Sequence, residues 1–93
     1  MDFSGFDWDA ANRVKCQKHG VSLGEIEWIL RHGSVAPDWD HSFAEQRFIA
    51  VGRTEAGRAA FVAFTLRLKE GQVLARPFSA CYMHAKEARR YGQ

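Results

Sequence analysis

The chain has 93 residues, 46% hydrophobic and 26% charged, which describes one ordinary globular domain over residues 1–93 and excludes a disordered tail. A formal net charge of +2 excludes attraction of nucleic acid by global charge alone, so a phosphate-binding surface would have to gather its Lys and Arg on one face. No apolar run approaches the ~20 residues of a membrane helix, and Met1-Asp2-Phe3-Ser4 lacks the basic and then apolar stretch of a signal peptide, so a cytoplasmic protein is expected, with Cys16 and Cys81 as free thiols.

In chain order, Asp7 or Asp9 can cap a first helix running to about Lys18, with Gly20 as its C′ residue. Ser22 and Glu25 have the spacing of a capping box and Val21 with Ile26 that of a hydrophobic staple. The second helix they begin carries Leu23, Ile26, Ile29 and Leu30 on one face and stops at Gly33. After a short strand near Ser34 to Pro37, strands are predicted at Phe48 to Val51 and at Ala59 to Leu68, with a turn over Gly52 to Gly57. The second of these is apolar on both sides, which predicts a central strand covered on both faces. Glu70-Gly71-Gln72 turns the chain into a return strand from Val73 to about Ala80, in which Pro77 removes a ladder donor and marks an edge or a bulge. Met83 to Tyr91 reads as a last helix. The expected order is α-α-β-β-β-β-α: an α+β fold with a mainly antiparallel four-stranded sheet, two N-terminal helices and one C-terminal helix.

The four His and two Cys have no metal-site spacing, and P-loop, dinucleotide and nucleophile-elbow motifs are absent, so neither metal nor cofactor is expected. The remaining polar residues are Lys18 and His19 at the end of the first helix, Asp40, His41, Glu45 and Arg47 before a strand, Arg53 after it, and Arg76, Ser79, Tyr82 and His84 on or after the last strand. They suit a ribonuclease that works without metal. Such an enzyme needs a base for the ribose 2′-hydroxyl, cations for the developing phosphorane charge and an acid for the leaving oxygen. His and Glu can carry the protons, Arg presents a fork matched to phosphate, and Tyr82 could stack an unpaired base. Each residue also has a plainer use. His19 could answer a helix dipole, Glu45 and Arg47 could form a surface ion pair, and Arg76 could deter edge-to-edge pairing. The three Trp suit core or interface anchoring better than base stacking.

Several strings resemble the BrnT toxin family in family order. They are Phe6-Asp7-Trp8-Asp9, Lys15-Cys16-Gln17-Lys18-His19-Gly20-Val21-Ser22, Asp40-His41-Ser42 with Glu45-Gln46-Arg47-Phe48, Val51-Gly52-Arg53, Arg76-Pro77-Phe78-Ser79-Ala80, and the closing Tyr82-Met83-His84 with Lys86-Glu87. The resemblance implies a RelE-like fold and RNA cleavage that halts translation. It also implies neutralisation by a BrnA-type antitoxin with a ribbon-helix-helix region, DNA being bound only through that antitoxin, with no membrane role. Carried over by position, it implies Lys18, His19, Glu45, Arg47, Arg53 and Arg76 as site residues; His19, Glu45, Arg47 and Arg76 are expected to be catalytic, and Lys18 and Arg53, with Tyr82 from its stacking chemistry, to contact RNA. One position departs: the family strand continues Ser-Ala-Arg, and Cys81 stands where that Arg would be. Losing a cation that contacts the reacting phosphate would weaken transition-state stabilisation by ~2–4 kcal/mol. The alternative is therefore a weak or inactive relative that serves as the folded partner of a DNA-binding repressor.

Overall fold

The computed structural model describes residues 2–41, 45–84 and 86. Strand β1 (Gly5–Phe6) is followed by helices α1 (Ala10–Cys16) and α2 (Leu23–His32), then β2 (Ser34–Pro37), a 3₁₀ turn at Trp39–His41, β3 (Phe48–Arg53), β4 (Ala59–Lys69) and β5 (Gln72–Tyr82).

Local chemistry sets these boundaries. Asp9 caps α1: its carboxylate accepts from Asn12 N at 3.0 Å, and the Asn12 side-chain oxygen accepts from Asp9 N at 2.7 Å. The helix ends at Cys16, and the turn that follows passes through Gly20 at a φ of 90°, where a side chain would be strained. Ser22 and Glu25 form the expected reciprocal box at the start of α2, and Val21 and Ile26 are both fully buried as its staple. At the far end of α2, Gly33 lies so close to β3 that an added Cβ would sit 2.7 Å from the carbonyl oxygens of Ile29 and Val51. Glu70 and Gly71, with φ of 51° and 77°, join β4 to β5 through a two-residue turn whose twist matches the hairpin.

The sheet has five strands in the order β1-β5-β4-β3-β2 and is mixed. This corrects the expected four-stranded, mainly antiparallel sheet. The extra strand, β1, runs parallel to β5, with Gly5 opposite Leu74 and Phe6 opposite Ala75. Two residues are too few to show alternation in a sequence. The strand is held instead by Ser4 N and Asp7 N, which donate to the carbonyls of Val73 and Ala75 at 2.8 Å, and by Phe6 packing on the core. The described residues contain two α-helices rather than three. Most of the expected closing helix, Met83 to Tyr91, lies outside the described residues, and Met83 and His84 are not helical.

β4 is central, as expected; α2 packs on β3 and β4, and α1 packs against β5. Ala60, Val62 and Phe64 form one face with Ala50 of β3 and Ala75 and Ala80 of β5, packed against Cys16, Ile26, Ile29 and Leu30. Burial of a side chain such as Phe64 or Ile26 is worth about 1.5–3 kcal/mol, which makes this layer the main source of stability. The opposite face, referred to below as the second face, carries Phe61, Ala63, Thr65, Arg67 and Lys69. The N-terminal end of α1 meets this face at Arg76, through Asp9.

Candidate functional site

Pro77 decides which side chains reach the second face. Ala63 pairs with Ser79, but Phe64 pairs with Pro77, so Phe78 is an extra residue in β5. The bulge resets the alternation. Arg76 stands opposite Thr65, Ser79 opposite Ala63 and Cys81 opposite Phe61, and all three therefore share the second face. Phe78 is covered by the Arg47 guanidinium, 4.9 Å from its ring centroid, with the Lys15 ammonium 5.8 Å away.

Arg76 is three-quarters buried and held by two carboxylates. Its Nη1 donates to Asp7 at 3.3 Å and its Nη2 to Asp9 at 2.8 Å. Asp7 is itself buried and also accepts from Lys69 Nζ at 2.9 Å. The Lys69 hydrogen bond, reinforced by Arg76 and opposed by burial, keeps the Asp7 carboxyl below the ordinary carboxylate range. The backbone N–H of Asn12 and then Arg76 do the same for Asp9, and the Asp9 hydrogen bond raises Arg76. Asn12, buried beneath this cluster, donates from Nδ2 to the carbonyls of Asp7 and Pro77 at 2.9 Å and ties α1 to the bulge.

Glu45 joins from the loop before β3. It pairs with Arg67 Nη1 at 2.5 Å, and that nitrogen lies 3.1 Å from Thr65 Oγ1, directly across from Arg76. Glu45, Arg47, Arg67, Lys69 and Arg76 thus gather towards one end of the second face.

The other sequence candidates stand elsewhere. Lys18 and His19 are exposed in the turn after α1, next to Gly20, whose carbonyl is 3.5 Å from the Tyr82 hydroxyl. Tyr82 lies opposite Ala60 on the helix-covered face, five residues along β4 from the position opposite Arg76, or roughly 16 Å. Its hydroxyl donates to Glu25 at 2.6 Å, which raises its pKa, and the Arg58 guanidinium lies 3.6 Å from its ring centroid. Arg53 is on the second face but opposite Ala59, roughly 20 Å along the sheet from the Arg76 row, and donates to the Gly57 carbonyl. His41 begins a stretch whose side chains lie outside the described residues, and His84 is exposed.

Asp7, Asp9, Thr65, Arg67, Lys69 and Phe78 escaped the sequence reading. Arg67 and Lys69 had a signal, since the Phe61-Ala63-Thr65-Arg67-Lys69 side of β4 turns from apolar to cationic. Asp7 and Asp9 read as helix caps, and nothing local ties them to a strand some 65 residues away.

A cleft of about 410 Å³ lies between the start of α2 and the β3–β4 turn, lined by Glu25, Trp28, Thr54 and Glu55. It is on the helix side, away from the cationic cluster, and its carboxylates suit no phosphate. Among the described residues, no three His, Cys, Asp or Glu side chains gather as a metal-binding group, and no helix is long and apolar enough to cross a membrane.

A five-stranded mixed sheet with two helices, and with Arg67, Lys69 and Arg76 ion-paired to Glu45, Asp7 and Asp9, defines a small α+β domain with a charged cluster at one end of its sheet. A family profile described as "Ribonuclease toxin, BrnT, of type II toxin-antitoxin system" matches residues 8–87. The chain belongs to the BrnT family of type II ribonuclease toxins, whose members are paired with an antitoxin. No individual curated protein matches it.

Proposed function

We propose that this chain cleaves RNA without a metal ion, using the second face around Glu45, Arg47 and Arg76, and that the cleavage halts translation in the cytoplasm. The supporting observation is the one-sided gathering of a carboxylate and several cations at the Pro77 bulge. Glu45 takes the proton of the ribose 2′-hydroxyl. The freed oxygen attacks phosphorus, Arg47 and Arg76 stabilise the charge on the phosphorane, and the bond to the leaving 5′-oxygen breaks as that oxygen takes a proton from water, giving a 2′,3′-cyclic phosphate and a 5′-hydroxyl. Arg forks suit this work because a guanidinium is always charged and can bind two phosphate oxygens. Lys18, His19, Arg53 and Tyr82, at a distance from that cluster, serve as outer contacts to a longer RNA rather than as proton carriers.

The partner in this reading is a BrnA-type antitoxin with a ribbon-helix-helix region, through which alone the complex binds DNA. Trp39, 72% exposed beside β2, offers the apolar surface such a partner would cover.

Expression of the chain alone in a bacterium should arrest growth, and co-expression of the ribbon-helix-helix protein should relieve the arrest. The second reading, an inactive relative that only folds with its repressor, draws support from Cys81 and from the two carboxylates already bound to Arg76. Undiminished growth at full expression of the folded chain would favour it.

A further inference from the structure

Asp7 is the one buried charged side chain among the described residues, and it holds two cations from adjacent strands, one on each oxygen: Lys69 at 2.9 Å and Arg76 at 3.3 Å. Side by side on a bare sheet surface, an ammonium and a guanidinium would repel and scatter. With the buried carboxylate between them they are pinned together on the second face. Lys69 remains more than half exposed, and its ammonium has further hydrogens to donate. Only two of the five guanidinium hydrogens of Arg76 point at Asp7 and Asp9. The exposed Lys69 ammonium can turn its remaining hydrogens to an anion beside Arg76, which keeps 22% of its side chain exposed.

We propose that Lys69 and Arg76 form a two-cation seat for an RNA phosphate and that Asp7 is the positioning residue that builds it. The inference rests on the RNA-cleavage reading above and adds Lys69 as a binding residue. Asp7 makes no contact with RNA: it sets the spacing of the two cations from beneath. Asp9, half exposed at the rim, competes with the phosphate for Arg76 and keeps the seat from holding anions indiscriminately.

The test uses the full chain and a single-stranded RNA oligonucleotide carrying 2′-O-methyl groups throughout, which binds but cannot be cleaved. Its Kd is measured between low and moderate salt for wild type, Lys69→Met, Lys69→Arg and Asp7→Asn. Lys69→Met should weaken binding about tenfold at low salt and reduce the slope of log K against log salt by about 0.7, the value for one phosphate contact on a single strand. Lys69→Arg should restore both. Adding Lys69→Met to Asp7→Asn should cause little further loss, because the spacing is already gone; a purely structural Asp7 would leave the two effects additive. If Asp7→Asn does not fold, the Lys69 pair decides alone, since that side chain lies at the exposed end of the hairpin. The proposal is overturned if Lys69→Met changes neither Kd nor slope while wild type binds with normal salt dependence. Absence of salt-dependent binding by wild type would instead overturn the RNA reading and the seat with it.

Discussion

Arg76 and Cys81 emerge from the same face of β5, although five positions of strict alternation would put them on opposite faces. The extra residue, Phe78, restores them to one side, with Arg76 across from Thr65 and Cys81 across from Phe61. Cys81 is half-buried there, and its Sγ donates to the Tyr82 carbonyl. It is not part of the helix-covered core.

Cys81→Arg should therefore be tolerated. The four β4 positions between the two partners place Cys81 about 13 Å from Arg76, which is too far for both forks to grip the same phosphate but suitable for a neighbouring one. The variant should bind single-stranded RNA more tightly, with a salt slope steeper by about 0.7, and should melt within a few degrees of wild type. A large fall in Tm without tighter binding would mean that the substituted position behaves as core.

A second expectation concerns acid. Lys69 and Arg76 hold the Asp7 carboxyl below its unfolded value. The group therefore contributes stability that is complete above the unfolded carboxylate range, about pH 4, and is lost as pH falls through the lowered folded value. Thermal melts from pH 6 to pH 2.5 should show wild type losing more Tm below pH 4 than Asp7→Asn does. Parallel curves would show that Asp7 is not linked to folding.

The third expectation concerns packing at the end of α2. Gly33→Ala forces a Cβ to within 2.7 Å of two backbone oxygens, which cannot swing away as a side chain can. A cost of about 1–3 kcal/mol is expected, or about 4–8 °C in Tm for each kcal/mol in a domain of this size. Gly24→Ala, in the same helix with nothing within 4 Å of the new Cβ, should instead stabilise by up to ~1 kcal/mol.

Much of the scaffold was legible because its signals are local. The Ser22/Glu25 box, the Gly33 stop, the Glu70-Gly71 turn and the alternation of β4 each sit within a few residues and formed where expected, whereas the first helix ends at Cys16 with Gln17 as its cap, short of Lys18 and Gly20. β1 was not legible, since its two residues become a strand only through the Val73 and Ala75 carbonyls. Glu45, Arg47 and Arg76 were recognisable as residue types, and the bulge at Pro77 was anticipated. What the bulge does to the facing of Arg76, and the grip of Asp7 and Asp9 on it, depend on register and on contacts across more than 60 residues.

Arg76 also has a structural share that its sequence setting hides. Arg76→Ala would leave buried Asp7 with Lys69 as its one cation, at a cost of about 1–3 kcal/mol. Its loss in cleavage should be far larger than that destabilisation explains. Measuring activity well below the variant's Tm separates the two, and full activity of the folded variant would remove Arg76 from the site.

The most direct test of the RNA-cleaving face is single-turnover cleavage of a single-stranded RNA in EDTA, by wild type and by folded Glu45→Gln, Arg47→Ala, Arg76→Ala and His19→Ala. Wild type should leave 2′,3′-cyclic phosphate ends with the metal chelated. The first three variants should each fall by a hundredfold or more, in line with the ~10²–10⁴ that a positioned acid–base group or charge stabiliser contributes. His19→Ala, on the far side of the Gly20 turn, should fall by less than tenfold. Loss of cleavage in EDTA, or a His19 variant more damaged than the Arg76 variant, would contradict the account.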